Sequence, residues 1–322
     1  MASSLDHDPM ERFRRLVPEM GGNYKGSHGK VAVVGGCLEF TGAPFFAAMS
    51  ALRVGADMAY VICTPSAATA IKSYSPELMV LPYLPETTQQ QYDSAAAPDE
   101  AAVERAVARI APWLARASAV VVGPGLGDDP AVCATASALI ARCRQLGLPL
   151  VVDGSALTHI VAKVGGWVAG GPAAEAAPFG GPVVLAKGAA DLVCTPDQPP
   201  HQPPHQPSSS DRQPHQPTAA PAARYVCDDL GSPRRCGGQG DVLAGTAAAF
   251  LCWAAKHHHQ QQDASSTAAA DGISSDEVAV CALAACKVVR KAAGAAFEVE
   301  QRGMVAGDIV PHLSRSLVQV AS

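Results

Sequence analysis

The feature that most constrains the fold of this chain is a regular alternation of short apolar segments with alanine-rich segments of helical length. The apolar segments are rich in β-branched residues: Lys30–Gly35, Met58–Cys63, Ser118–Gly123, Pro149–Asp153 and Pro182–Lys187. The segments of helical length between them are Ala43–Gly55, Asp99–Arg116 and Ala131–Leu146. Strands that are apolar throughout and alternate with helices are typical of a parallel sheet covered on both faces. We therefore expect an α/β fold with a mostly parallel central sheet.

Composition limits the class of protein and its partners. The 322 residues are 48% hydrophobic and only 16% charged, and this length is ample for a large buried core. A net charge of −5 argues against nucleic acid or a membrane surface as the main partner. The longest apolar run, Val242–Ala255, is shorter than the roughly 20 residues that cross a bilayer. The ten cysteines form no Cys-x-x-Cys pair, which favours reduced, mostly buried thiols in an intracellular protein.

The N-terminus and two low-complexity segments define the expected domain. Residues 1–20 contain acidic side chains and no apolar core, unlike a secretory signal, so we expect a cytoplasmic location and leave an organellar form open. One domain is expected over residues 12–322, after a disordered N-terminus at residues 1–11. It is interrupted by a disordered Pro/His/Gln-rich insertion at about 195–223 and a polar loop at about 256–276. Their histidines lack a fixed geometry, so no metal site is expected.

The first insertion separates the two strands of a predicted β-hairpin, Asp191–Cys194 and Arg224–Cys227. The densest glycine motif follows it, reading Arg-Arg-Cys-Gly-Gly-Gln-Gly-Asp over residues 234–241, just before a predicted apolar helix. Glycine leaves backbone N–H groups open to a ligand, and N–H groups at a helix N-terminus bind anions, with two arginines adding positive charge. Asp241 is either an N-cap of the helix or a general base beside a bound phosphate, and the motif favours the base.

Three other strand ends carry weaker signals. Lys187 and Asp191 flank a turn that either binds a nucleotide or is an ordinary polar strand end. The glycine-rich turn at residues 123–127 would let a ligand approach the backbone. Asp153, at the end of another strand, is either a site carboxylate or a helix cap. The sequence contains no Walker A, Gly-x-Ser-x-Gly or His-Glu-x-x-His motif.

Taken in chain order, these motifs resemble one family, the ATP-dependent NAD(P)H-hydrate dehydratases of the ribokinase-like superfamily. The resemblance extends from about Arg12 to the C-terminus, apart from the two insertions. The residues that carry it are Lys-Gly-Ser-His-Gly-Lys-Val-Ala-Val-Val-Gly-Gly (25–36), Thr-Gly-Ala-Pro (41–44), Ala-Leu-Arg-Val-Gly-Ala-Asp (51–57), Val-Val-Gly-Pro-Gly-Leu-Gly (121–127), Val-Val-Asp (151–153), Lys-Gly-Ala-Ala-Asp (187–191) and the motif at 234–241.

The resemblance implies a three-layer ribokinase-like fold with one central sheet of roughly eight strands. It also implies a cofactor-repair reaction. ATP phosphorylates the hydroxyl that water has added to the reduced nicotinamide ring, phosphate then leaves, and NADH or NADPH is restored from the S form of its hydrate. Magnesium would bridge the ATP phosphates, with no protein ligand assigned.

The resemblance implies the site residues as well. Asp241 would be catalytic and would contact the hydrated dinucleotide together with Gly125, Leu126 and Gly127. The residues implied for ATP are Lys187, Gly188, Ala189, Ala190, Asp191, Gly231, Ser232, Pro233, Arg234, Arg235, Cys236, Gly237, Gly238, Gln239 and Gly240. The expected partners are these two small molecules, without nucleic acid or membrane, and a homo-oligomer is left open.

One departure from the family lies in Lys163–Pro182. This segment is shorter here and lacks the Pro-Asn-x-x-Glu-Phe-type motif that helps to hold the substrate in the family. Two alternatives therefore stay open, a small-molecule kinase of the same superfamily and a nucleotide-binding protein with impaired turnover. The N-terminal motifs at residues 25–31 and 41–44 favour the dehydratase.

Overall fold

A parallel sheet of five strands forms the centre of the fold. The computed structural model describes residues 8–21, 24–87, 98–159, 183–195, 224–264 and 273–322. The strands are β1 (Lys30–Val34), β2 (Met58–Cys63), β3 (Met79–Pro82), β4 (Ala119–Val122) and β5 (Leu150–Val152), in the spatial order β3-β2-β1-β4-β5. All neighbouring pairs are parallel. The predicted parallel α/β fold is confirmed, and β3 is an additional strand that the sequence pattern did not predict.

A second, antiparallel sheet contains β6 (Val184–Ala186), β7 (Asp191–Cys194) and β8 (Tyr225–Cys227). Within the described residues β6 pairs only with β7, so the prediction that Pro182–Lys187 adds a strand to the parallel sheet is wrong. The expectation of a single sheet of roughly eight strands is wrong for the same reason. Only the turn at residues 187–190 joins β6 to β7, and so short a connection permits antiparallel pairing alone. The predicted hairpin is confirmed, because Asp191 pairs with Cys227.

Helices cover both faces of the parallel sheet. In the described part of the chain they are α1 (Pro9–Leu16), α2 (Gly42–Arg53), α3 (Pro65–Tyr74), α4 (Glu100–Leu114), α5 (Pro130–Gln145), α6 (Ser155–His159), α7 (Gln239–Ala264), α8 (Ser275–Glu300), α9 (Ala306–Ile309) and α10 (Leu313–Ala321). Alternate residues of β1 face opposite sides: Val33 packs with α2, α7 and α8, and Val34 packs with α4 and α5. Burying one such valine contributes about 1.5–3 kcal/mol, so both faces stabilise the sheet. The three-layer arrangement is confirmed.

The N-terminal boundary of the fold differs from the expected one. Helix α1 begins at Pro9, and Met10 N donates a hydrogen bond of 2.9 Å to the Asp8 carboxylate at its N-cap. Phe13 is fully buried against Phe250, with ring centroids 4.7 Å apart. The segment predicted to be disordered, residues 1–11, is therefore ordered from residue 8 onwards, because its apolar side chains reach the core. Residues 1–7 lie outside the described residues.

The polar loop predicted at about 256–276 is also shorter than expected. Helix α7 continues to Ala264, since glutamine and lysine are good helix formers. Helix α8 begins at Ser275 after a capping box in which Ser274 and Glu277 satisfy each other's backbone amides. The Pro/His/Gln-rich insertion from residue 196 to 223 and the segment Lys163–Pro182 lie outside the described residues.

All ten cysteines are described and free, nine of them buried and Cys236 partly exposed. Burial raises the pKa of Cys63 to about 12 and that of Cys143 to about 11, so both are neutral thiols near pH 7. The prediction of mostly buried, unpaired thiols is confirmed. Across the described ranges, no helix is both long and apolar enough to cross a membrane.

Candidate active site

Two strand ends and one helix N-terminus bring three charged side chains together. Asp153 directly follows β5, Lys187 directly follows β6, and Asp241 lies in the first turn of α7. Lys187 Nζ donates a hydrogen bond of 3.1 Å to Asp153 Oδ1. A β-carbon on Gly240 would lie 2.9 Å from Lys187 Nζ and 3.5 Å from Asp153 Oδ2, so the pair sits directly on the first turn of α7. This side-chain pairing places Asp153 in the site rather than at a helix cap.

The environment of Asp241 suits it to accept a proton. Burial raises the pKa of its carboxyl, and the negative charge of Asp153 raises it further. The Lys187 ammonium lowers it, and the resulting pKa is about 6. A base whose pKa lies near the working pH is the most effective proton acceptor. Helix α7 begins at Gln239, so Asp241 is its third residue and lies inside the first turn instead of at the N-cap.

One glycine of the motif before α7 is tightly packed against the rest of the protein. Gly238 has φ +93°, and a β-carbon there would lie 2.7 Å from Ala306 Cβ and 3.1 Å from the Phe46 ring. Only glycine fits this position, which fixes the first backbone N–H groups of α7 at the site. Those N–H groups have no partner within the helix and carry its positive dipole end, a suitable site for a phosphate. Arg234 also supports the loop, since its Nε donates a hydrogen bond of 2.7 Å to Met304 O.

Arg290 of α8 joins the predicted ATP loop at residues 187–191 to Asp229, just before the second predicted loop at residues 231–240. Arg290 Nε donates to Asp191 Oδ2 at 2.7 Å, Nη2 to Gly188 O at 3.0 Å and Nη1 to Asp229 O at 3.1 Å. Burial alone would raise the pKa of Asp191, but Arg290 and the Gly188 amide hold it below its usual value. The Asp191 carboxylate and both backbone groups of Gly188 are thus engaged within the protein. Nothing in the sequence around Arg290 indicated this role.

The glycine turn after β4 adjoins the same site. The Asp153 carbonyl oxygen would lie only 1.6 Å from a β-carbon on Gly123, so this contact requires glycine. Gly125 has φ +60°, and its carbonyl accepts a hydrogen bond of 3.0 Å from Gly36 N. Leu126, one of the residues implied for the substrate, is fully buried, which leaves the backbone of the turn for a ligand.

A cleft of about 350 Å³ opens beside this turn. Its lining residues are Glu39, Phe40, Gly127, Asp128 and Ser155. Asp153 contacts the glycine turn through its backbone and Lys187 through its carboxylate.

Comparison with known proteins shows the family of the chain. The family model described as NAD(P)H-hydrate dehydratase matches residues 31–166 and 217–302. The chain belongs to the NAD(P)H-hydrate dehydratase family. The ATP-dependent (S)-NAD(P)H-hydrate dehydratase of Vitis vinifera is 33% identical, covering 98% of this chain and 89% of that protein, and that of Physcomitrium patens is 36% identical, covering 95% and 94%.

A solved structure confirms the fold. A ribokinase-like superfamily protein from Enterococcus faecalis matches with a TM-score of 0.59 and 15% sequence identity, over 97% of this chain and 94% of that one. The NAD(P)H-hydrate dehydratase family model leaves residues 167–216 unmatched, which includes most of Lys163–Pro182 and of the Pro/His/Gln-rich insertion.

The motif at residues 25–31 packs against other parts of the protein. Asp57 Oδ2 accepts hydrogen bonds from Gly26 N at 2.7 Å and His28 N at 2.9 Å. Trp253 Nε1 donates to His28 O and Lys256 Nζ to Gly26 O, both at 2.9 Å. Hydrogen bonds from this motif therefore connect the turn before β1 to α7, the helix that contains Asp241.

Proposed function

We propose that this chain catalyses the ATP-dependent dehydration of the S form of hydrated NADH and NADPH, restoring the reduced cofactor and releasing ADP and phosphate. Membership of the family and the names of relatives that align with nearly the whole chain support the reaction. The observation that carries it at the level of residues is the partly buried carboxyl of Asp241, with a pKa of about 6, at the N-terminus of α7.

In the first step, the oxygen of the substrate hydroxyl attacks the terminal phosphorus of ATP. Asp241 takes the proton from that hydroxyl at the same time. The bond between that phosphorus and the bridging oxygen breaks, and ADP leaves. The transferring phosphoryl group carries negative charge on its outer oxygens, so catalysis depends on positioning and electrostatic stabilisation. The N–H groups at the start of α7 and the Lys187 ammonium supply that stabilisation side by side.

In the second step, the carbon–oxygen bond of the phosphorylated ring breaks and phosphate leaves with the electron pair. The neighbouring carbon loses a proton, and the ring double bond of the reduced nicotinamide is restored. Phosphate is a far better leaving group than hydroxide, which explains why the dehydration consumes ATP. The glycine turn at residues 125–127 and its adjoining cleft would hold the dinucleotide during both steps.

Magnesium fits this site only through the nucleotide. Among the residues that the structure describes, no group of three or more histidine, cysteine, aspartate or glutamate side chains could hold a metal ion. Mg²⁺ commonly keeps several waters and binds through substrate phosphates, a mode that needs no dedicated protein cage. Bound in this way it would neutralise phosphate charge, while Lys187 and the α7 N-terminus orient the phosphoryl group.

The test is recovery of near-ultraviolet NADH absorbance from purified hydrated NADH, with and without ATP and Mg²⁺. Wild type and the exposed control Glu104→Gln are expected to restore absorbance only with ATP, and Asp241→Asn is expected to bind ATP without turnover. ADP formation without restored absorbance would instead indicate a kinase of the same fold. ATP binding with neither product would indicate a nucleotide-binding protein without turnover.

A further inference from the structure

We propose that Asp153 is a positioning residue for this dehydration, holding the Lys187 ammonium at the first turn of α7 where the transferred phosphoryl group is bound. The inference rests on the proposed function, because it takes the place of phosphoryl transfer from it. Asp153 would not contact the reacting atoms and would act through Lys187.

The backbone of Asp153 is fixed on two sides. Its N–H donates a hydrogen bond of 3.0 Å to Val122 O at the end of β4. Its carbonyl oxygen packs against Gly123, where no β-carbon would fit. Its side chain is only 15% exposed. A carboxylate attached to so constrained a backbone is a rigid anchor at the edge of the parallel sheet.

Lys187 needs such an anchor. Its side chain is 47% exposed and ends in an ammonium on a flexible four-carbon stem, which samples many rotamers when free. The ammonium has three N–H donors, and the bond to Asp153 Oδ1 uses one of them. The others remain for phosphate oxygens, and the missing side chain at Gly240 gives the ammonium room beside the helix N-terminus.

A purely stabilising role explains the pair less well. Ion pairs with one half-exposed partner contribute little to stability. The Asp153 carboxylate also lies close enough to Asp241 for its charge to raise the pKa of that group. Placing two carboxylates together costs free energy, so their proximity is better explained by catalysis than by folding.

The test compares Asp153→Asn, Lys187→Met, the double variant and the control Glu104→Gln. We expect Asp153→Asn to lower kcat by about 100-fold, because the Lys187 ammonium would no longer be correctly placed. The ATP affinity, measured by calorimetry, should change much less. If Asp153 acts through Lys187, the double variant should be no slower than Lys187→Met alone. Losses in kcat that multiply in the double variant would overturn the proposal.

The pH profile separates this role from a structural one. Among the described residues, the charged groups that act on Asp241 are Asp153 and Lys187. Removing the Asp153 charge lowers the Asp241 pKa, and releasing the ammonium opposes this by a smaller amount, because Asp153 has the larger effect. The acid limb of kcat/KM should therefore move to lower pH in Asp153→Asn. An unshifted limb would contradict the proposal.

If Asp153→Asn does not fold, Asp153→Glu gives the same test. Its longer side chain displaces the ammonium while keeping the charge, so kcat should fall at least about fivefold, and wild-type kcat would overturn the proposal. A wild-type protein without ATP-dependent recovery of NADH would refute the proposed function itself. Activity in wild type with full activity in Asp153→Asn would refute only the role of Asp153.

Discussion

Arg290 Nε donates a hydrogen bond of 2.7 Å to Asp191 Oδ2, which joins the middle of α8 to the first residue of β7. The same guanidinium also binds the carbonyl oxygens of Gly188 and Asp229. Arginine offers several donors in a fixed plane, so one side chain can set the relative position of three backbone segments. Here those segments are α8, the predicted ATP loop at residues 187–191 and the chain at Asp229, just before the second predicted loop.

We therefore predict that Arg290→Met destabilises the protein and raises KM for ATP. Asp191 is only 7% exposed, and removing its partner leaves a buried, uncompensated charge, which costs about 3–5 kcal/mol in the free energy of unfolding. Urea unfolding at pH 7 measures the loss. Lys287→Met is the matched control, because its more exposed bond to Asp229 is worth about 1 kcal/mol or less. Equal losses in the two variants would contradict the prediction.

The same pair predicts a pH dependence. The pKa of Asp191 is lower in the folded protein than its ordinary value of 3.8, so the ion pair stabilises the protein fully above pH 3.8. Its contribution is lost as the pH falls through the folded-state pKa, where the carboxyl becomes protonated. The difference in unfolding free energy between wild type and Arg290→Met should therefore shrink below that pH. Urea unfolding of both proteins at a series of acidic pH values measures this difference. A difference that stays constant with pH would show that the ion pair does not contribute to the pH dependence of stability.

The sequence predicts those elements whose signal is local. Strands β1, β2, β4 and β5 were all indicated by continuous β-branched runs, whereas β3, with only the four residues Met-Val-Leu-Pro, gives no such run. The position of β6 was also indicated, but not its partner. Its apolar pattern fits either sheet, and the choice depends on the short turn to β7, which favours antiparallel pairing.

The same distinction applies to the site. Asp241 was indicated because its glycine motif and helix start are contiguous in sequence. The bond between Lys187 and Asp153 joins residues 34 positions apart, and that between Arg290 and Asp191 joins residues 99 positions apart. Such pairs depend on which strand ends and helices the fold brings together. The sequence indicated Asp153 and Lys187 separately, each at a strand end, and contained no signal that their side chains are in contact.

Asp241 should illustrate a conflict between activity and stability. Its pKa of about 6 in the folded protein exceeds its ordinary value of 3.8, so the ionised carboxyl destabilises the folded state above pH 6. Asp241→Asn should therefore increase the free energy of unfolding at pH 8, by up to about 3 kcal/mol, with little change near pH 3. Thermal unfolding at both pH values measures this, and a less stable variant at pH 8 would be contrary to expectation.

Asp57 should be needed for stability and not for chemistry. Its carboxylate accepts two backbone N–H bonds, and hydrogen bonds to a charged group are each worth about 1.5–3 kcal/mol. Asp57→Ala should lower the unfolding free energy by about 2–4 kcal/mol, while the folded fraction keeps the wild-type KM for ATP. Denaturant unfolding and steady-state kinetics at a temperature well below the transition separate the two effects. A raised KM with normal stability would place the N-terminal motif in the nucleotide site instead.

Of two adjacent glycines in the site, only Gly238 should be sensitive to substitution by alanine. At Gly238 an added β-carbon meets Ala306 at 2.7 Å and the backbone has φ +93°, whereas at Gly237 no heavy atom lies within 4 Å. A left-handed backbone alone costs alanine about 1–2 kcal/mol, so Gly238→Ala should lower the free energy of unfolding by at least that much. The substitution should also displace the first turn of α7 and thereby raise KM for ATP. Gly237→Ala serves as the stability control and should stay within about 0.5 kcal/mol of wild type. Unfolding curves for the two variants measure this difference. Equal stabilities would contradict the prediction, because the loop would then relax around the added methyl group. Such a loop would not fix the backbone N–H groups that are proposed to bind phosphate.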